Sequence, residues 1–216
     1  KLIGEKFNNI FAFLPTSVSV YTFPFIVNAN FITDAGRQNL HQDYVWNQWL
    51  FEEMPERFVE WMEELAKNKQ YGLDYLKLIV KDAGANDELS SSYKEGIESA
   101  LLSTPILPRE DDQLVLVKDA IWDQTNICSF VTKQLFVKYI NKDSKSFVEA
   151  NILPRKYQFV EKTLKSLGVY TFTEESLAEF MKSDEFVNNH SVSENSGLID
   201  FLTKRYPFNK QSENRD

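Results

Sequence analysis

Arg37 is the residue whose type and surroundings suggest chemistry most directly. It follows a small-residue turn at residues 33–36, at the end of an apolar run, where a rigid scaffold can present a side chain. A guanidinium group is planar, permanently charged and able to donate in a forked manner, which suits a phosphate oxygen. Local sequence by itself favours a simpler alternative, in which Arg37 forms a surface ion pair. The nearby carboxylates that could take part are Asp34, Asp43 and Glu52.

The other candidates for a catalytic or metal site have simpler explanations. Glu110, Asp111 and Asp112 form an acidic tract in a proline-containing loop, which is typical of a solvated turn. They leave open an enzyme of unrecognised type that uses loop carboxylates. His41 and His190 have no motif around them, and patterns for phosphate-binding loops, serine hydrolases and zinc peptidases are absent from the sequence. We therefore assign no catalytic residue and no metal ligand.

Composition sets broad limits on the class of protein. Apolar residues make up 43% of the 216 residues, including 17 phenylalanines and 4 tryptophans, which is enough for a sizeable core. The net charge of −8 disfavours nucleic acid and anionic membranes as partners. The single cysteine, Cys128, lies in an apolar run and is predicted to be a buried thiol. No signal peptide or membrane-spanning stretch is recognisable, so the expected location is cytoplasmic.

The elements predicted around Arg37 are two strands and a helix. Apolar runs at residues 10–14 and 23–31 are predicted to be strands covered on both faces. The helix that follows is expected to bury an aromatic stripe, and Pro55 is expected to kink it or break it in two. The stripe consists of Trp46, Trp49, Leu50, Met54, Phe58, Trp61, Met62 and Leu65.

The rest of the chain is predicted to be mainly helical, which gives an α+β, helix-dominated fold with a small N-terminal β-sheet portion. Helix patterns with capping signals recur, including a stop at Gly168 and a start at Thr173. The predicted helices cover residues 71–83, 87 or 90 to 102, 129–140, 157–167, 177–186 and 197–206, and short strands cover 113–117 and 169–172. The chain is divided into a strand, turn and helix segment at 1–70, helical segments at 71–150 and 151–208, and a disordered tail at 209–216.

Residues 10–65 resemble the segment that follows the ATP-binding fold in sacsin-like ATPases, which belong to the superfamily of the ninety-kilodalton heat-shock chaperone. The resemblance rests on the runs FAFLPT, FPFIVNANF and WNQWL and on the arginine turn between the last two. In the chaperones the matching turn reads roughly Ser-Arg-Glu. Here it reads Gly36-Arg37-Gln38, so the arginine is kept while both of its neighbours differ.

The resemblance implies a role that the residues alone do not. It makes this chain a middle-domain-like segment in which Arg37 reaches the γ-phosphate of ATP bound, with magnesium, by an upstream domain of the same polypeptide. The residues that hold the nucleotide and activate water would lie in that domain. Because the chain begins at Lys1 without a methionine, we expect it to be part of something longer.

These inferences give one functional hypothesis and two alternatives. The chain is a fragment of a chaperone-like ATPase that couples ATP binding to conformational change and to protein partners or clients, with no catalysis by itself. The first alternative is a stand-alone helical scaffold for protein interactions. The second is the unrecognised enzyme that uses the loop carboxylates.

Overall fold

The computed structural model describes residues 10–141 and 151–206. Over these residues the chain has an α+β, helix-dominated fold, as predicted. It divides into two compact units, Lys1–Lys118 with Phe159–Gly168, and Asp119–Gln158 with Val169–Asp216. The sequence boundaries proposed near residues 70 and 150 stay predictions. The tail predicted at 209–216 lies outside the described residues.

The first unit combines a small sheet with two long helices. Strand β1 pairs in parallel with β3 and antiparallel with β2, so β1 is the central strand. A two-stranded antiparallel ribbon of β4 and β5 lies further along the chain. The elements of this unit are β1 (Ile10–Ala12), β2 (Leu14–Pro15), β3 (Val27–Asn28), α1 (Val45–Lys67), α2 (Glu88–Ser103), β4 (Leu107–Pro108), β5 (Leu114–Val115) and α4 (Glu161–Leu167).

The N-terminal strands are shorter and more open than their apolar sequence predicts. Only two residues of the run at 23–31 form a strand, Val27 and Asn28. The expectation that both faces of the strands are covered is wrong, because Phe13 is 84% exposed and Leu14 is 57% exposed. Three short strands can pair their backbones without having enough neighbours to cover both faces.

Helix α1 is continuous through Pro55, so the predicted break into two helices is wrong. Proline removes one backbone hydrogen bond from a helix. In α1 the ring of Pro55 is buried and packs against Gly96 of α2. The packing is close, because a β-carbon at Gly96 would lie 2.9 Å from Pro55 Cγ. Helix α2 therefore packs closely against α1 at the position of Pro55. The alternative of a kink within one helix stays a prediction.

The predicted aromatic stripe of α1 is confirmed at Phe58 and Met62 and wrong at its tryptophans. Trp46, Trp49 and Trp61 are 44%, 45% and 45% exposed. The buried face of the helix includes Phe58 and Met62 but not the tryptophans, and its side chains meet aromatic residues from the chain before the helix, such as Phe25 stacked on Phe58 at 4.4 Å. The buried residues of α1 are Asn47, Phe51, Pro55, Phe58, Val59 and Met62.

The helix predicted at residues 71–83 is not an α-helix. Two short 3₁₀ segments replace it, Lys69–Tyr71 and Asp74–Leu78, separated by Gly72 at φ +55°. By contrast, the next predicted helix is confirmed as α2, whose N-cap Asp87 accepts a hydrogen bond from the Ser90 amide.

The second unit is built on a three-stranded parallel sheet. Strand β6 lies between β7 and β8, and its first three residues are buried. The elements of the second unit are β6 (Ala120–Asp123), α3 (Lys133–Ile140), β7 (Asn151–Ile152), β8 (Tyr170–Phe172), α5 (Glu174–Lys182), α6 (Asp184–Val187) and α7 (Val192–Arg205).

Capping chemistry sets several helix ends in the chain. The predicted stop after α4 is confirmed at Gly168, at φ +83°, and the predicted start of α5 is confirmed at Thr173, which accepts from the Ser176 amide. Helix α7 begins earlier than predicted, because Ser191 and Glu194 form a capping box. Among the described residues, no helix is long and apolar enough to cross a bilayer.

Candidate functional site

Arg37 lies in a turn that its own backbone helps to close. Thr33 and Leu40 form an isolated antiparallel bridge across the base of the turn. Within it, the Arg37 amide donates to Asp34 O at 3.0 Å, and Arg37 O accepts from the Ser17 amide at 2.7 Å. Arg37 has a φ of +55°, a left-handed conformation that is uncommon for residues other than glycine. Tertiary contacts therefore hold this residue in a conformation that local sequence does not favour.

Asp34 supports the turn from inside. Its carboxylate accepts from Asn39 Nδ2 and from the Gln38 amide, both at 2.8 Å. These hydrogen bonds, that of Asn39 first, lower the pKa of Asp34 below its usual range. Asp34 is therefore occupied with the turn and does not pair with the arginine.

The guanidinium group of Arg37 is held by backbone carbonyls of the first two strands. Nη2 donates to Ala12 O at 2.9 Å and to Leu14 O at 2.7 Å, and Nε donates to Pro15 O at 3.2 Å. Within residues 10–141 and 151–206 Arg37 forms no ion pair, so the alternative of a local ion pair is not observed. The carbonyls fix the plane of the group and leave its positive charge without a neighbouring carboxylate.

One nitrogen of the guanidinium, Nη1, donates to no atom of the described residues. Its two N–H groups are the part of Arg37 that remains for another molecule or another domain. A half-buried, pre-oriented cation of this kind can bind one anionic oxygen with little further loss of side-chain freedom. It supplies a charge-assisted contact and no acid–base chemistry, since guanidinium does not lose its proton in proteins.

Asn47 joins the arginine turn to helix α1 and was missed by sequence reasoning. Its side chain is fully buried; Oδ1 accepts from the Ile32 amide at 2.9 Å, and Nδ2 donates to Ile32 O and His41 O, both at 2.8 Å. The signal was available, because Asn47 stands four residues before Phe51 and so shares its buried face.

The other sequence candidates have structural partners. Asp111 pairs with Arg109, which lowers its pKa, and Asp112 binds Lys69 Nζ at 2.6 Å. No group of three metal-binding side chains occurs within the described residues. Glu110 shows no feature of a catalytic carboxylate beyond its place in this loop.

The histidines and the cysteine lie in ordinary packing environments. The His41 ring lies 4.8 Å from that of Tyr44 at a tilt of 31°, and His190 stacks on Phe186 at 4.7 Å, in different units of the chain. Burial, with a smaller contribution from Asp123, raises the pKa of Cys128 to about 12. Its thiol is therefore protonated at neutral pH and unsuited to nucleophilic chemistry.

Comparison with known proteins gives one partial similarity. The chain is 31% identical over 109 residues to Protein NO VEIN of Arabidopsis thaliana, an alignment that covers 48% of this chain and 4% of that protein. The chain thus spans a small part of the length of the relative that it matches. No family model matches the sequence, and no solved structure matches it.

Proposed function

We propose that this chain is the segment following an ATP-binding domain in a larger, chaperone-like ATPase of the sacsin type. In this proposal Arg37 contacts the γ-phosphate of ATP, which the upstream domain holds with magnesium, and so couples nucleotide binding to domain closure and to protein partners. Helix and strand contacts within this chain position the arginine. The chain itself carries out no catalysis.

The observation that carries the proposal is the state of the Arg37 guanidinium. Three carbonyl oxygens orient it, no carboxylate among the described residues neutralises it, and Nη1 is left for an outside acceptor. Protein NO VEIN gives a second support, since its similarity to this chain lies within a far longer polypeptide. A segment of that kind is consistent with a site whose other half is in another domain.

The energetic demand on such a contact is modest. A hydrogen bond to a charged group contributes about 1.5 to 3 kcal/mol. That range shifts an equilibrium between open and closed states by roughly tenfold to a hundredfold, because about 1.4 kcal/mol corresponds to a factor of ten. The arginine would therefore bias closure without being the main source of nucleotide affinity.

The test compares Arg37→Ala and Arg37→Lys in the full-length protein. We expect ATP turnover to fall at least tenfold in Arg37→Ala, and the affinity for a non-hydrolysable ATP analogue to fall while the affinity for ADP is unchanged. Arg37→Lys keeps the charge but loses the planar guanidinium that binds the three carbonyl oxygens, so ATP turnover in this variant should lie between those of Arg37→Ala and the unsubstituted protein. The matched control is Arg57→Ala, which removes an exposed arginine that pairs with Glu60.

A structural effect of the substitution has to be separated from a nucleotide effect. Removing the Arg37 side chain also removes three hydrogen bonds to the strands, so urea unfolding of the isolated chain is measured for each variant. Unchanged ATP turnover in Arg37→Ala would contradict the proposal. An equal loss of ADP and ATP-analogue affinity would also contradict it, since ADP lacks the γ-phosphate.

A stand-alone interaction scaffold is the second candidate function. The observation that favours it is the exposure of Trp46 and Trp49 on α1, two large side chains that do not complete the core. This candidate needs no nucleotide. It predicts that the isolated chain binds its partner equally well with and without ATP.

A further inference from the structure

The first turns of α1 present an aromatic face to solvent. We define this aromatic face as Tyr44, Val45, Trp46 and Trp49, which are 46%, 77%, 44% and 45% exposed. The rings of Trp46 and Trp49 lie 5.1 Å apart at an angle of 34°. Trp46 Nε1 donates to Asn30 O at 2.7 Å, which fixes the indole in place. Large, pre-ordered and exposed aromatic side chains are typical of binding hot spots.

Unpaired carboxylates flank the aromatic face. Asp43 precedes it, and Glu52, Glu53 and Glu56 follow Trp49 at helical spacings of three, four and seven residues, which place them on the same side of α1. None of these four carboxylates forms an ion pair with a described residue. Negative potential is therefore concentrated next to the indole rings.

The C-terminal half of α1 differs from the N-terminal half in this respect. Glu60 pairs with Arg57 at 2.9 Å, and Lys67 pairs with Glu63 at 3.0 Å and with Glu64 at 3.2 Å. Arg57 also attracts Glu56 and Glu53, so among the four carboxylates Asp43 and Glu52 are the ones that Arg57 does not compensate. A cation supplied by another molecule would find uncompensated charge at Asp43 and Glu52.

An acidic groove of about 560 Å³ lies beside the aromatic face, between α1 and the start of α2. Glu52 connects the groove to the aromatic face, since it lines the groove and lies three residues from Trp49. Asp87 in the groove is already engaged by Tyr21, Gln42 and the Ser90 amide. The other carboxylates that line the groove are Glu88 and Glu95.

We propose that the aromatic face binds a cationic, arginine-containing segment of a partner protein. Arginine stacks on tryptophan more favourably than on other side chains, and its planar fork also fits carboxylates. In the complex one guanidinium lies on the indole of Trp49, and neighbouring basic side chains lie near Glu52, Glu53 and the groove. Anionic partners such as nucleic acid are repelled by the same carboxylates. This interaction is independent of the role proposed for Arg37.

The test is titration of the chain with a hexa-arginine peptide, followed by tryptophan fluorescence and calorimetry. We expect saturable binding at about 50 mM salt that weakens at least tenfold at about 300 mM, because salt screens surface charges. Trp49→Ala is expected to weaken binding at least tenfold, and so is the pair Glu52→Gln with Glu53→Gln. The control pair Glu110→Gln with Glu179→Gln makes the same change in net charge and is expected to alter Kd less than twofold.

Four outcomes would overturn the proposal. The first is absence of binding at low salt by the unsubstituted chain. The second is an equal loss of peptide affinity in the two pairs of glutamate substitutions, which would show that the peptide is attracted by net charge and not by a particular site. The third is full affinity in Trp49→Ala, shown to be folded by circular dichroism. The fourth is a concentration-dependent dimer that Trp49→Ala abolishes, since this would assign the face to a second copy of the chain.

Discussion

Replacing Asn47 by alanine tests whether a single buried amide holds the arginine turn on helix α1. The substitution removes three hydrogen bonds of 2.8 to 2.9 Å. Ile32 O keeps a partner, because the His41 amide donates to it at 3.1 Å. The Ile32 amide and His41 O lose the partner that Asn47 supplied.

The expected loss of stability follows from those two orphaned groups. An unsatisfied buried donor or acceptor costs about 1 to 3 kcal/mol. Both groups are partly buried, so water reaches them to some extent and the lower part of the range applies. We therefore expect Asn47→Ala to lower the free energy of unfolding by about 2 to 4 kcal/mol.

The assay is urea unfolding followed by tryptophan fluorescence. Three of the four tryptophans, Trp46, Trp49 and Trp61, belong to the first unit, so fluorescence reports mainly on the unit that carries the substitution. The matched control is Asn39→Ala in the same turn. Asn39 is exposed and its side chain makes one hydrogen bond, to Asp34 at 2.8 Å, so we expect a loss below about 1 kcal/mol.

Hydrogen exchange distinguishes a local effect from a general one. The Ile32 amide should exchange much faster in Asn47→Ala, and amides in the middle of α2 should change only as far as global stability changes. Equal unfolding free energies for the Asn47→Ala and Asn39→Ala variants would refute the reasoning. So would an unchanged exchange rate at Ile32, because the bond to Asn47 is what protects that amide.

The remaining predictions concern packing, pH and exposure. Gly96→Val should lower the unfolding free energy by about 2 to 3 kcal/mol in urea titrations, because its side chain would overlap the buried ring of Pro55. Burial alone would raise the pKa of Glu194, but hydrogen bonds from the Ser191 and Thr132 amides outweigh it and lower that pKa to about 2. This folded-state value is below the ordinary 4.5, so the carboxylate stabilises the fold above pH 4.5, and that contribution of at most about 3 kcal/mol is lost as the pH falls towards 2. Glu194→Gln should flatten the dependence of unfolding free energy on pH over that interval, and a slope as steep as that of the unsubstituted chain would contradict it. Trp49→Ala should cost less than about 1 kcal/mol and Phe51→Ala about 3 to 5, and the reverse order in thermal unfolding would show that the buried face of α1 has been misassigned.

Local sequence predicted those features whose causes are local. The stop at Gly168 and the start at Thr173 each depend on a side chain or glycine within a few residues of the helix end. The helix-dominated α+β class was predicted for the same reason, since helix periodicity is a property of short windows.

The buried face of α1 shows why other predictions were wrong. Several apolar residues on a helix allow more than one stripe, and the predicted stripe was wrong where it included the tryptophans. Which stripe is buried depends on what packs against it, and here Phe25 stacks on Phe58 while α2 approaches at Gly96. Those neighbours are distant in sequence, so no window around α1 contains them.

For Arg37 too, some properties follow from the sequence and others only from the tertiary structure. Its identity and its suitability for an anionic oxygen were determined by the sequence alone. The structure decided which acceptors its guanidinium meets: three carbonyls of the first strands, residues 12–15, instead of a neighbouring carboxylate. The physical reason is that strand pairing and the buried Asn47 amide place the turn against the ends of those strands, and such long-range contacts exist only after the chain has folded.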